Sequence, residues 1–129
     1  MRHHIDVLGL LHMVWGVFGV LTGLSLVILA TGTHAALAVA GSIGAGSRAA
    51  VWLMAVTGAL MLTAGLAWFA TGRRLRRLET RARMWALVLA IPNLLVIPFG
   101  TALGIYTFWV LLNNDAREVF GRPARHASV

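Results

Sequence analysis

The chain has 129 residues, of which 59% are hydrophobic and only 12% charged, and its mean hydropathy is +0.82. A soluble domain carries about 25% charged residues, so most of this chain has too little charge to face water, and its length suits one compact unit. Cysteine is absent, which excludes disulfides, thiolate metal sites and thiol nucleophiles. The net charge of +7 comes from arginine alone and lies beside apolar runs. It therefore points to anionic lipid head groups and not to nucleic acid.

The first apolar run covers about 5–30. It exceeds the h-region of a signal peptide, about 7–15 residues, and reaches the roughly 20 residues that a bilayer crossing needs. His3, His4 and Asp6 stand at its start, too loosely spaced for a metal site. Asp6 suits the positive end of a helix dipole. Gly9, His12, Gly16, Gly19 and Gly23 recur at offsets of three or four and share one helix face. In lipid, helices associate by close approach over such small residues, and Gly19-x-x-x-Gly23 has the familiar spacing.

His12 is the polar residue of greatest interest. Ionisable side chains in membranes face the bundle interior and are often functional. The simpler reading is an interhelical hydrogen bond to Asn93 or Thr107. The sharper one is a ligand for haem or a chlorophyll-type pigment, or a partner for a quinone. A second buried histidine for bis-histidine ligation would have to come from a symmetric dimer. The simpler reading is preferred, so no cofactor is required.

Residues 31–47 are rich in Ala, Gly and Ser and read as an outer loop carrying His34. The second span, about 51–71, has its own small face at Ala55, Gly58 and Gly65, and Gly72 closes it. A basic segment over 72–83 follows, with Arg73, Arg74, Arg76, Arg77, Arg81 and Arg83. It reads as a cytoplasmic orienting loop that meets lipid head groups. Leu75, Leu78 and Ala82 also allow a helical extension there, with Glu79 paired to Arg83.

Only 28 residues, 85–112, separate this segment from Asn113-Asn114-Asp115. Pro92 and Pro98 interrupt them, and Pro98-Phe99-Gly100 reads as a turn. A hairpin of two short spans, 84–97 and 100–112, competes with one long kinked helix. The hairpin wins on charge. With four spans, Arg2, the basic segment and the tail 113–129 with Arg117, Arg122 and Arg125 share one side, and only Arg48 lies opposite. Asn93 beside Pro92 marks a structural kink, and Gly100-x-x-x-Gly104 gives the last span a packing face. Trp52, Trp68, Trp85 and Trp109 fall near span ends, as interfacial indoles do. Trp15 does not, and is expected between helices. His126 has no visible partner.

The expected fold is therefore all-α: a polytopic membrane four-helix bundle whose last two helices form a short hairpin. No mid-membrane carboxylate, nucleophile–base pair, phosphate loop or metal motif appears, so no enzyme is expected. The leading function is a scaffold or accessory subunit, bound to lipid and to a homo-oligomer or other membrane subunits. A cofactor-binding subunit of an electron-transfer or photosynthetic complex, using His12, is one alternative. An oligomeric channel or small transporter lined by the first span is the other.

The stretch RARMWALVLAIPNLLVIPFGTALGIYTFWVLL, residues 81–112, resembles a widespread group of small, uncharacterised bacterial membrane proteins. In that group a basic loop leads to a Trp-Ala start, an Asn-Leu-Leu stretch, a Pro-Phe/Ile-Gly turn and a GTALGIYTLWVLL-like helix. The matching residues are Trp85-Ala86, Asn93-Leu94-Leu95, Pro98-Phe99-Gly100 and Thr101 to Leu112; Pro92 departs from the pattern. The resemblance implies a four-helix layout in the bacterial inner membrane, with both termini cytoplasmic by the charge argument above. It implies no activity.

Overall fold

The computed structural model describes residues 2–121 and is helical throughout its regular structure, with α1 Arg2–Val39, α2 Ala45–Arg76, α3 Thr80–Asn93, α4 Phe99–Leu112 and α5 Asn114–Val119. Helices α1 and α2 are each long and apolar enough to cross a membrane. In their most apolar windows only 17% and 11% of residues are buried. That distinguishes them from the core helices of a soluble protein. Large side chains such as Val14, Phe18, Leu21 and Ile28 point outward instead, a contiguous apolar surface that water does not tolerate at this size.

Both long helices extend further than their hydropathy indicates. α1 continues through the expected loop to Val39, so His34 is helical, because Ala35, Ala36, Leu37 and Ala38 are strong helix formers. It ends at Gly41, whose φ of +62° lets Gly41 N–H donate to the Ala38 carbonyl and Ser42 N–H to the Leu37 carbonyl. α2 likewise runs past Gly72 to Arg76, placing Arg73, Arg74 and Arg76 in its last turn, where cations favour the helix dipole. Leu78, at φ +56°, ends it with the same bonding pattern: Leu78 N–H to Leu75 and Glu79 N–H to Arg74. The expected basic loop is thus a tight corner over 77–79 between two helices. Glu79 turns back to Arg74, with Oε2 and Nε 3.9 Å apart, and not forward to Arg83.

The contacts divide the chain into two compact units, Met1–Val14 with Trp68–Val129, and Trp15–Ala67. In the second, α1 and α2 meet glycine on glycine. A Cβ added to Gly65 would lie 2.6 Å from the Val20 nitrogen and 2.7 Å from the Gly16 oxygen. One added to Gly23 would lie 2.6 Å from the Gly58 oxygen, and one at Gly19 3.2 Å from the Gly65 Cα. Ala55 stands off this seam and lines a shallow groove with Ala30, His34 and Trp52.

In the first unit Gly9 and Gly72 make the same approach, 2.9 Å from an added Gly9 Cβ to the Gly72 oxygen. Here α3 and α4 fold back on each other across the turn 94–98. An added Cβ on Gly100 would lie 2.6 Å from the Asn93 oxygen, and one on Gly104 3.1 Å from the Ala90 oxygen. Ala82, Ala86 and Ala90 form the inward side of α3, and Leu103, Val110 and Leu111 that of α4. Short side chains on one helix and branched ones on the other let the two backbones come close. α5 packs on α4 and is capped by Asn113, whose side-chain oxygen accepts from Asp115 N–H at 3.4 Å.

Candidate functional site

Five polar side chains lie buried in the first unit: His12, Thr71, Arg83, Asn93 and Thr107. For Thr107 and His12 the observed hydrogen bonds differ from those that spacing alone proposes. Thr107 donates to the Leu103 carbonyl of its own helix at 2.7 Å. His12 Nδ1 lies 3.0 Å from the Leu8 carbonyl, also within its own helix. A carbonyl only accepts, so the proton is on Nδ1 and Nε2 carries a bare lone pair. That Nε2 is buried without a hydrogen-bond partner.

This arrangement bears on the cofactor reading. Axial ligation of a haem or chlorin, or a bond to a quinone, needs open space along the Nε2 lone pair. His12 has no exposed surface, so not even a water molecule fits beside it. The site in this chain does not fit haem, a chlorophyll-type pigment or a quinone. His12 instead behaves as a core residue with one unsatisfied atom, which costs about 1–3 kcal/mol. Leu8 O retains its backbone partner when the imidazole is removed. His12→Leu is therefore expected to leave stability unchanged or raise it by up to about 2 kcal/mol, read by denaturant titration in detergent. A loss of stability would show that the imidazole holds the core together.

Arg83 also departs from the head-group role expected of it. Its side chain is buried and its Nε donates to the Leu111 carbonyl at 2.9 Å. Leu111 sits in the last turn of α4, where carbonyls lack intrahelical partners and carry negative partial charge. The guanidinium satisfies one of them and ties the start of α3 to the end of α4. Helical phase carried the signal: Arg83 shares a face with Ala86, Ala90 and Asn93.

The remaining arginines of the segment stay outside. Arg73, Arg74, Arg76, Arg77 and Arg81 are exposed, and the Arg76 stem passes close to Gly9. Below Arg81 an open groove of about 430 Å³ runs down α3, lined by Thr80, Arg81, Met84, Trp85 and Val88. The start of α1 meets α4: His4 Nδ1 lies 3.3 Å from the Tyr106 hydroxyl, and the His4 ring meets Trp109 edge-on at 5.9 Å. Tyr106 and Trp109 stack at 6.2 Å. No group of three or more His, Asp or Glu side chains suited to a metal ion occurs among the described residues. Arg122, Arg125 and His126 lie outside the described residues.

Comparison with protein-family models, with curated proteins and with solved structures finds no match to this chain.

Proposed function

We propose that the chain is a non-catalytic integral protein of the bacterial inner membrane, with four inserted helices and an accessory role in a larger membrane assembly. The outward apolar surface of α1 and α2 carries this reading. Their glycine faces are used up against each other, so the bulky side chains that remain are left for lipid or for a partner's helices. The glycines therefore build the subunit, and association falls to the outer faces. One such face on α4 is a groove of about 570 Å³ lined by Leu94, Ile105, Phe108, Trp109 and Leu112, with Asn113 at its end. The channel reading gains nothing here: the Gly19 side of α1 rests on the Gly65 backbone, which leaves no lumen at that seam.

Charge supports the orientation. Among the described residues every arginine except Arg48 falls in the first unit, which also holds the start of α1 and the base of the α3–α4 hairpin. By the positive-inside rule that unit's arginine end faces the cytoplasm. Helices α3 and α4 have 14 residues each, about 21 Å and short of a core about 30 Å thick. Their turn carries Leu95 and Ile97, 84% and 82% exposed. Such a tip belongs in lipid, so the hairpin enters from the arginine side and returns to it. Both termini then lie in the cytoplasm.

The accessory role is tested by solubilising the tagged chain from its native membrane in mild detergent. It should elute well above its own 13.9 kDa, with other membrane proteins at fixed stoichiometry. Elution as a lone monomer with nothing bound would overturn the role.

A further inference from the structure

We infer that the outer face of α3 holds a single anionic phospholipid, phosphate at Arg81 and acyl chain along Met84, Trp85 and Val88. This rests on the membrane reading above and goes further, because it assigns one lipid to one groove. Helical phase splits α3 cleanly. Ala82, Arg83, Ala86, Ala90 and Asn93 turn inward, and Arg81, Met84, Trp85, Val88 and Ile91 turn outward. The outward face changes polarity in one direction only. It begins with a guanidinium, passes a half-exposed indole one turn later, and continues as pure hydrocarbon. From Thr80 to Val88 the groove extends about 12 Å, the depth over which a phospholipid passes from phosphate through glycerol to its first methylenes.

Charge selects the occupant. The corner next to the groove presents Arg73, Arg74, Arg76 and Arg77 to solvent. Its one carboxylate, Glu79, is turned back towards Arg74. The Thr80 hydroxyl is engaged with the Phe120 carbonyl at 3.4 Å, so the phosphate is received by arginine and not by hydroxyl donors. An anionic head group such as phosphatidylglycerol is favoured there over zwitterionic phosphatidylcholine. The indole of Trp85 lies at the level of the glycerol, as interfacial tryptophans do, and so reports occupancy.

The test uses the full chain in nanodiscs of phosphatidylcholine containing a small fraction of acyl-brominated phosphatidylglycerol or acyl-brominated phosphatidylcholine. Quenching of Trp85 is isolated by subtracting a Trp85→Phe variant. Brominated phosphatidylglycerol is expected to quench Trp85 about fivefold more effectively than brominated phosphatidylcholine, the preference one surface arginine confers. Arg81→Gln should abolish that preference, whereas Arg73→Gln should leave most of it. Equal quenching by the two lipids overturns the site while the membrane reading stands. So does an equal loss from Arg81→Gln and Arg73→Gln, which would mean diffuse attraction to the basic corner. Absence of Trp85 quenching by either lipid overturns both, because α3 would then lie outside the bilayer.

Discussion

Gly65→Leu is expected to force α1 and α2 apart and to destabilise the chain by about 3 kcal/mol or more, the upper range for overpacking a filled contact. Even a methyl group at residue 65 would meet the Val20 nitrogen, the Gly16 oxygen and the Gly19 carbonyl carbon, all within 2.9 Å. These are backbone atoms of α1, so no rotamer change relieves the clash. The helices must separate or slide, and in lipid no hydrophobic force restores their contact. Gly32→Leu is the internal control. It lies on α1, and nothing stands within 4 Å of its added Cβ, so it should not destabilise the chain, and the gain in helix propensity raises stability by up to about 1 kcal/mol. Denaturant titration of both variants in one detergent checks the pair. Equal behaviour would mean that the glycine seam does not hold the two helices.

Arg83→Met should cost about 2–3 kcal/mol, the range for a buried hydrogen bond to a charged donor. The methionine keeps most of the volume but leaves the Leu111 carbonyl without its donor at the end of α4. Loss should concentrate at the base of the hairpin, seen as faster amide exchange over 80–84 and 108–112. Arg83→Lys should recover only part, because an ammonium on a different stem does not reproduce the guanidinium geometry. Arg81→Met, two residues away and exposed, should fall within about 0.5 kcal/mol of the parent chain. Matching losses at residues 81 and 83 would contradict the inward placement of Arg83.

The same contrast shows what the sequence could and could not disclose. Both positions sit in one basic run, and composition treats them alike. Only phase against Ala82, Ala86 and Ala90 separates them, and that phase is readable once the start of α3 is placed at Thr80 and not at Met84. The start was hard to place because hydropathy marks where lipid begins, whereas a helix begins where the backbone can close its bonds. The same distinction explains why α1 runs to Val39 and α2 to Arg76. Alanine and arginine sustain a helix without contributing an apolar span.

The glycine faces were legible as faces. Within the second unit their pairing is latent in a spacing of seven: Gly16 and Gly23 on α1, against Gly65 and Gly58 on α2. Two antiparallel helices with glycines matched at that spacing keep their small residues opposed at every second turn. Offsets of three and four, read on each helix alone, mark the small face without saying which glycine meets which. His12 stands out in the sequence as an ionisable residue in an apolar span, but its partner is not readable there. The nearest carbonyl, Leu8, belongs to its own helix, and spacing between helices says nothing about it.

If α2 crosses the membrane as proposed, the basic corner lies inside and the turn after α1 outside. Because the chain has no cysteine, single cysteines introduced at residues 42 and 79 are unique labels. Treatment of intact spheroplasts with a membrane-impermeant maleimide should modify Ser42→Cys at once and Glu79→Cys only after permeabilisation. Labelling of both from the same side would place the two ends of α2 in one compartment and contradict the account.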